Sequence, residues 1–103
     1  MNGRRKVDAT VPAGASTASA AEVVLYTSPG CHYCGDAREV LARVGSEVRL
    51  QVTEVDLDSV PGQAALARWR VPFPPILILD GTLFGYGRIS ERKLRAALAA
   101  RAV

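Results

Sequence analysis

The stretch Val23-Val24-Leu25-Tyr26-Thr27-Ser28-Pro29-Gly30-Cys31-His32-Tyr33-Cys34-Gly35 decides how the rest of the chain is read. Its first four residues are β-branched, aliphatic or aromatic, the pattern of a short buried strand. Thr27, Ser28, Pro29 and Gly30 cannot extend that strand and form a turn. Cys31 and Cys34 follow at the head of a segment with helical periodicity. At a helix start, backbone N–H groups lack intrahelical acceptors and the dipole favours negative charge, so a thiolate at Cys31 is stabilised there. A spacing of three returns the second sulfur to bonding range of the first. Strand, tight turn and a Cys-x-x-Cys pair opening a helix are what dithiol–disulfide chemistry requires.

Composition narrows the class. The 103 residues suffice for one small domain with an adequate core. Apolar residues make up 49% and charged residues 22%, as in an ordinary globular protein. The net charge of +3 is partly carried by Arg4, Arg5 and Lys6. The other basic residues alternate with acids on helical faces without interleaved aromatics, which argues against nucleic acid as a partner. Two close cysteines do not make a secreted disulfide scaffold; inside a cell such a pair is redox-active or metal-binding. No apolar run approaches the roughly 18 residues of a membrane span. Asp8, Thr10, Pro12, Gly14, Ser16 and Thr17 interrupt the apolar region of about 7–15 residues that an export signal needs. Residues 1–21 therefore read as a disordered tail before a single domain over 22–103, in a cytoplasmic, monomeric protein.

The elements follow in order. A strand over 23–27 leads to a helix from Cys31 to Val44. On that helix Ala37, Val40, Leu41 and Val44 form an apolar stripe, and Glu39 and Arg43 make a supporting pair. Gly45 stops it. Val48–Leu57 reads as a second strand whose alternation slips near Glu54, as at a bulge. Asp58, Ser59 and Pro61 introduce a second helix over 61–69 with Ala64, Ala65, Leu66 and Trp69 inward. The run Val71-Pro72-Phe73-Pro74-Pro75 breaks all periodicity. Ile76–Leu79 is a wholly apolar strand, buried on both faces. Asp80-Gly81 is a hairpin turn into a fourth strand over 82–84. Ser90 caps a last helix over 91–101, with Leu94, Ala97 and Leu98 facing the sheet. The order β-α-β-α-β-β-α predicts an α/β fold, a mixed four-stranded sheet flanked by helices, with a parallel crossover first and an antiparallel hairpin last.

That order, with Tyr26-Thr27-Ser28-Pro29-Gly30-Cys31-His32-Tyr33-Cys34 at its first turn, resembles the glutaredoxin branch of the thioredoxin superfamily over about Val23 to Ala100. Pro75, before four apolar residues and Asp80-Gly81, stands where glutaredoxins place a cis-proline opposite the dithiol. Tyr33 matches the aromatic that commonly precedes their second cysteine. The segment Leu83–Ser90 is most similar to small bacterial glutaredoxin-like proteins. The resemblance implies a thioredoxin-like fold and a redox-active disulfide between Cys31 and Cys34 with no bound cofactor. Three glutathione contacts of that branch are altered. Ser28 stands in place of a basic residue, Pro74 has no N–H to donate, and Gly87, Arg88 and Ile89 offer no carboxylate. Glutathione specificity is therefore not carried over.

Within this frame Cys31 is the nucleophile and Cys34 the resolving thiol. An inert pair or half of a metal site is the competing reading, although a complete zinc site needs four ligands and only the two cysteines and His32 are at hand. A zinc or iron–sulfur centre bridging two subunits would require a dimer. Protonated His32 stabilises the thiolate, or else is an exposed side chain of little influence. Tyr33, Phe73, Pro74 and Pro75 line a substrate groove, or Phe73–Pro75 is simply a rigid connection. Tyr86 and Arg88 face the same end, where Arg88 holds a substrate carboxylate or is solvated. Trp69 is core and Asp80 is turn chemistry. The expected activity is reduction or exchange of disulfides in proteins or small thiols, with electrons from glutathione, another low-molecular-weight thiol or a flavin reductase. The alternative from another class is a non-catalytic adaptor of the same fold, or a metal- or iron–sulfur-carrying module.

Overall fold

Two-residue alternation along the first strand sorts the molecule into layers. The computed structural model describes residues 20–101. Strand β1 (Ala21–Thr27) sends Ala21, Val23, Leu25 and Thr27 to one face and Val24 and Tyr26 to the other. It starts two residues earlier than its apolar run, because Ala21, wholly buried, and Glu22 already pair with Leu50 and Gln51. Of the tail expected over 1–21, residues 1–19 lie outside the described residues, and Ala21 belongs to the sheet.

Helix α1 (Cys34–Gly45), strand β2 (Leu50–Asp56), helix α2 (Val60–Trp69), strands β3 (Ile76–Leu79) and β4 (Thr82–Tyr86) and helix α3 (Glu91–Arg101) follow. The sheet order is β2-β1-β3-β4. β1 is parallel to β2 and antiparallel to β3, and β3 is antiparallel to β4. The expected mixed four-stranded sheet is present.

Helices α1 and α3 cover one face. Ala37, Val40, Leu41 and Val44 pack there against Val23, Leu25 and Leu77, joined by Ile89, Leu94 and Leu98. On the other face Leu57, Ile76 and Ile78 are buried, with Val24, Tyr26, Leu66, Trp69, Val71 and Leu83 packed around them. β3 feeds both layers, which is why its sequence is apolar without alternation. Trp69 is the core residue it was expected to be, with the Arg68 guanidinium 4.5 Å from its ring centre.

Several boundaries differ from the sequence reading. β2 is shorter than Val48–Leu57, because the Val48 N–H donates to the Val44 carbonyl at 2.8 Å and so closes the turn after α1. Its register against β1 is unbroken, so the bulge expected near Glu54 is absent. The irregular alternation arises because β2 is an edge strand exposed over most of its length. The register shift lies instead between β3 and β4, where Leu77 faces Gly85 but Ile78 faces Leu83. Phe84 is the extra residue, and Leu83 and Phe84 pack in opposite layers. On α2, Gly62 and Ala65 are buried while Ala64 is exposed. A side chain at Gly62 would run into the Asp56 carbonyl and the Leu57 backbone, so this contact requires glycine. Arg43 does not pair with Glu39. Its guanidinium reaches Glu91 at 2.9 Å, and Glu91 also holds Arg95 at 3.0 Å, so these charges tie α1 to α3.

Asp80 does more than turn the chain. It and Gly81 both have positive φ (49° and 84°), the backbone of a tight hairpin turn. Its carboxylate accepts from the Glu22 N–H at 3.0 Å and from Arg101 Nε at 2.5 Å, pinning β1 and the end of α3. The Glu22 N–H, and after it Arg101, hold the carboxyl below the usual Asp range. Such a group contributes stability in full above its unfolded value of about 3.9 and loses it as pH falls through the lower folded value. Asp80→Asn keeps the turn geometry and removes the charge. It is expected to cost about 1 kcal/mol near pH 7 for a partly exposed charged hydrogen bond. In urea melts the gap from wild type should hold from neutral pH down to about 4 and close below it.

Candidate active site

The Pro29-Gly30 turn delivers the two cysteines, and the turn is longer than expected. The Cys31 N–H donates to the Ser28 carbonyl at 3.2 Å, His32 and Tyr33 continue the turn, and regular helix begins at Cys34 rather than Cys31. Tyr33 is the N-cap and gives no side-chain cap, while the Ala37 N–H closes the first helical bond on its carbonyl at 3.0 Å. The N–H groups of Tyr33, Cys34, Gly35 and Asp36 thus have no acceptor within the helix. A disulfide joins Cys31 and Cys34 across 5.4 Å between Cα atoms. Cys34 is 2% exposed, whereas Cys31 is half-buried in the turn ahead of it. The two sulfurs therefore differ in access.

Strand register brings the other candidates to the same end of the sheet. Tyr26 lies opposite Ile76, and Ile76 opposite Tyr86. The end of β1, the start of β3 and the end of β4 are therefore neighbours. The Pro74–Pro75 peptide is cis; Pro75 is fully buried and Pro74 half-buried. The Pro75 carbonyl accepts from the Gly87 N–H at 2.8 Å. Phe73 and Tyr86 are 50% and 42% exposed and meet edge to face with ring centres 5.6 Å apart. His32 is exposed and meets Tyr33 in the same manner at 4.9 Å. The dithiol end thus carries two aromatic pairs. Arg88 is exposed and lines a cleft of about 480 Å³ with Asp36, Glu39, Val40, Arg43 and Glu91. That cleft does not include Phe73 or Tyr86, so Arg88 stands among the carboxylates beside α1.

One polar cluster was not anticipated from the sequence. Thr27, only 6% exposed, donates its hydroxyl to Glu54 Oε2 at 2.9 Å. Arg38 grips the same carboxylate through Nε at 3.0 Å and Nη2 at 2.6 Å. Arg38 first, and more weakly Thr27, hold the Glu54 carboxyl below its usual range against the opposing effect of burial. Together with Ser28, Pro29 and Asp56 these residues line a second cleft of about 460 Å³. The signal in the sequence was Glu54, with Asp56 two residues on, in an otherwise β-forming run. Among the described residues no three His, Cys, Asp or Glu side chains are grouped to hold a metal ion.

The family model described as "Glutaredoxin-like domain (DUF836)" matches residues 22–99. Uncharacterized proteins of Mycobacterium bovis and Mycobacterium tuberculosis are each 33% identical over 83 residues, 76% of this chain and 82% of theirs. A mutant thioredoxin from Halobacterium salinarum superposes with a TM-score of 0.64 at 18% identity, over 87% of this chain and 81% of its own. A thioredoxin from Thermus thermophilus gives 0.56 at 23%, over 82% and 75%. At such identities these structures attest the fold.

The Phe73 ring occupies the space a Cβ at Gly87 would need, with Cε1 2.5 Å from that position, and Gly87 has φ +66°. Gly87→Ala is expected to cost about 1–3 kcal/mol, through left-handed backbone and displacement of the ring. Phe73→Ala in the same chain relieves the collision and leaves the backbone cost. Thermal unfolding of the three variants should therefore show the double variant less destabilised than the sum of the singles.

Proposed function

This chain belongs to the glutaredoxin-like domain family, and from that membership we propose that it is a dithiol–disulfide oxidoreductase acting through Cys31 and Cys34. The observation that carries the reading is a disulfide between a half-buried Cys31 and a buried Cys34 at the uncapped start of α1. Unpaired helical N–H groups and the dipole lower the pKa of a thiol held there.

Each step follows from this asymmetry. The Cys31 thiolate attacks one sulfur of a substrate disulfide; a mixed disulfide forms and the other substrate sulfur leaves as a thiolate that takes a proton. Cys34, once deprotonated, attacks the Cys31 sulfur, forms the Cys31–Cys34 disulfide and releases the second substrate thiol. Two electrons pass from the dithiol to the substrate, and two donor thiols or a flavin reductase return them. No cofactor is bound during the cycle.

The substrate lies at the sheet end that presents His32, Tyr33, Phe73, Pro74, Pro75 and Tyr86. The exposed, mutually packed Phe73 and Tyr86 suit a disulfide-bearing protein segment or an apolar thiol. Arg88, among acids beside α1, contributes to charge selection at the rim. Glutathione is a poor donor in this reading, since Pro74 offers no N–H and Ser28 no positive charge. The chain works as a monomer in a bacterial cytoplasm. The mycobacterial relatives support the source, and the need to re-reduce the pair supports the compartment.

Ultraviolet titration of the reduced protein tests the nucleophile. Cys34→Ser should leave one thiol that ionises clearly below the free value of about 8.5, and Cys31→Ser one that ionises at or above it. Two ordinary thiols would remove the oxidoreductase reading, and analysis for zinc and iron would then decide for the metal-carrying alternative. In a glutathione-coupled disulfide reduction assay turnover should be weak, and robust turnover would contradict the roles given to Ser28 and Pro74.

A further inference from the structure

The bidentate grip of Arg38 on Glu54 has better geometry than its stability value warrants. Both side chains are substantially exposed, at 51% and 40%, and exposed pairs contribute little to folding. Yet the pair stands beside the two segments that carry the dithiol, α1 and the turn before it. Arg38 follows Cys34 by one helical turn, and residues so spaced have Cβ atoms about 5–6 Å apart. Helical side chains lean toward the N-terminus, the end of α1 at which Cys34 stands. The same side chain shares a cleft with Ser28 and Pro29, the turn that delivers Cys31. Glu54 is fixed from below by the buried Thr27 hydroxyl, at the last residue of β1 before that turn.

We propose that Arg38 and Glu54, anchored by Thr27, are positioning residues that set the redox poise of the Cys31–Cys34 pair by holding a cancelled charge beside it. The proposal rests on the oxidoreductase reading above. In the reference equilibrium, disulfide plus two donor thiols gives dithiol plus donor disulfide, with two electrons and two protons transferred. In that reading the Cys31 thiol of the product then ionises and releases its proton to the buffer. A nearby positive charge stabilises that thiolate and the reduced form, and so raises the reduction potential; a negative charge does the reverse. While the pair is intact the two effects largely cancel. Within a screening length of about 8 Å, removing either partner uncovers the other.

The test is the equilibrium of the full chain with dithiothreitol redox buffers at pH 7, read by thiol trapping and mass spectrometry. Glu54→Gln should shift the equilibrium constant about threefold toward the dithiol, equivalent to about 14 mV. Arg38→Gln should shift it by a similar factor toward the disulfide. The double variant should return to the wild-type value, and Arg38→Lys should retain it. The Cys31 thiol should titrate lower in Glu54→Gln and higher in Arg38→Gln. A merely structural clamp predicts same-sign shifts or none in the single variants, with the double variant the most perturbed, and that result overturns the proposal. A pair that never exchanges with the buffer overturns the oxidoreductase reading and this inference with it.

Discussion

Everything at the dithiol end depends on β1 having a hydrogen-bonded neighbour on each side, one parallel and one antiparallel. The parallel pairing forces a helical crossover, which places α1 directly after the turn that leaves β1. The antiparallel pairing brings the start of β3, and with it Pro75, beside the end of β1. A strand with neighbours of one sense only would separate the turn from the proline loop. The burial of Val23 and Leu25 under α1 and α3 then fixes which way the helix N-terminus points.

The ends of these elements do chemical work because backbone groups there have no partner in the regular structure. α1 begins without a side-chain cap, and its free N–H groups are what a thiolate would use. By contrast α2 and α3 are capped conventionally, by Ser59 on the Gly62 N–H and Ser90 on the Lys93 N–H, both at 3.1 Å. The helix that begins at Cys34 is the one left open. Gly87 serves the opposite purpose, since its missing Cβ lets the Phe73 ring fill the corner beside the Pro75 carbonyl.

Much of this was legible in the residues. The apolar run Val23–Tyr26, the stripe on α1 and the unbroken Ile76–Leu79 specify two packed layers through periodicity alone, and the Asp80-Gly81 turn marks the hairpin. The edge strand is harder to read, because with its outer side unpaired β2 has no strict alternation to display, and its limits and unbroken register come from its pairing with β1. The true bulge at Phe84 follows from packing on both faces, which a local pattern does not contain. The cysteine pair was plain from spacing. The pairing of Arg38 with Glu54 was not, because it joins residues sixteen apart through a crossover, and Arg43 likewise passes over the nearby Glu39 for Glu91 on α3. Asp80 was readable as a turn former, but its grip on Glu22 and Arg101 depends on where β1 and α3 finish.

The two layers are unequal, and this bears on how the molecule breathes. Among the described residues the apolar cluster under α1 and α3 joins eleven buried side chains, whereas the cluster under α2 joins three, Leu57, Ile76 and Ile78, ringed by half-covered neighbours. Partial opening therefore begins at α2, which can lift while the opposite layer stays closed. Amide protons of α2 should be the quickest of the three helices to exchange with solvent, and those of β1 and β3 the slowest. Fluctuation is thus concentrated on the side of the sheet away from the helix that begins at Cys34, so the reactive corner rests on the slow-exchanging nucleus of the protein.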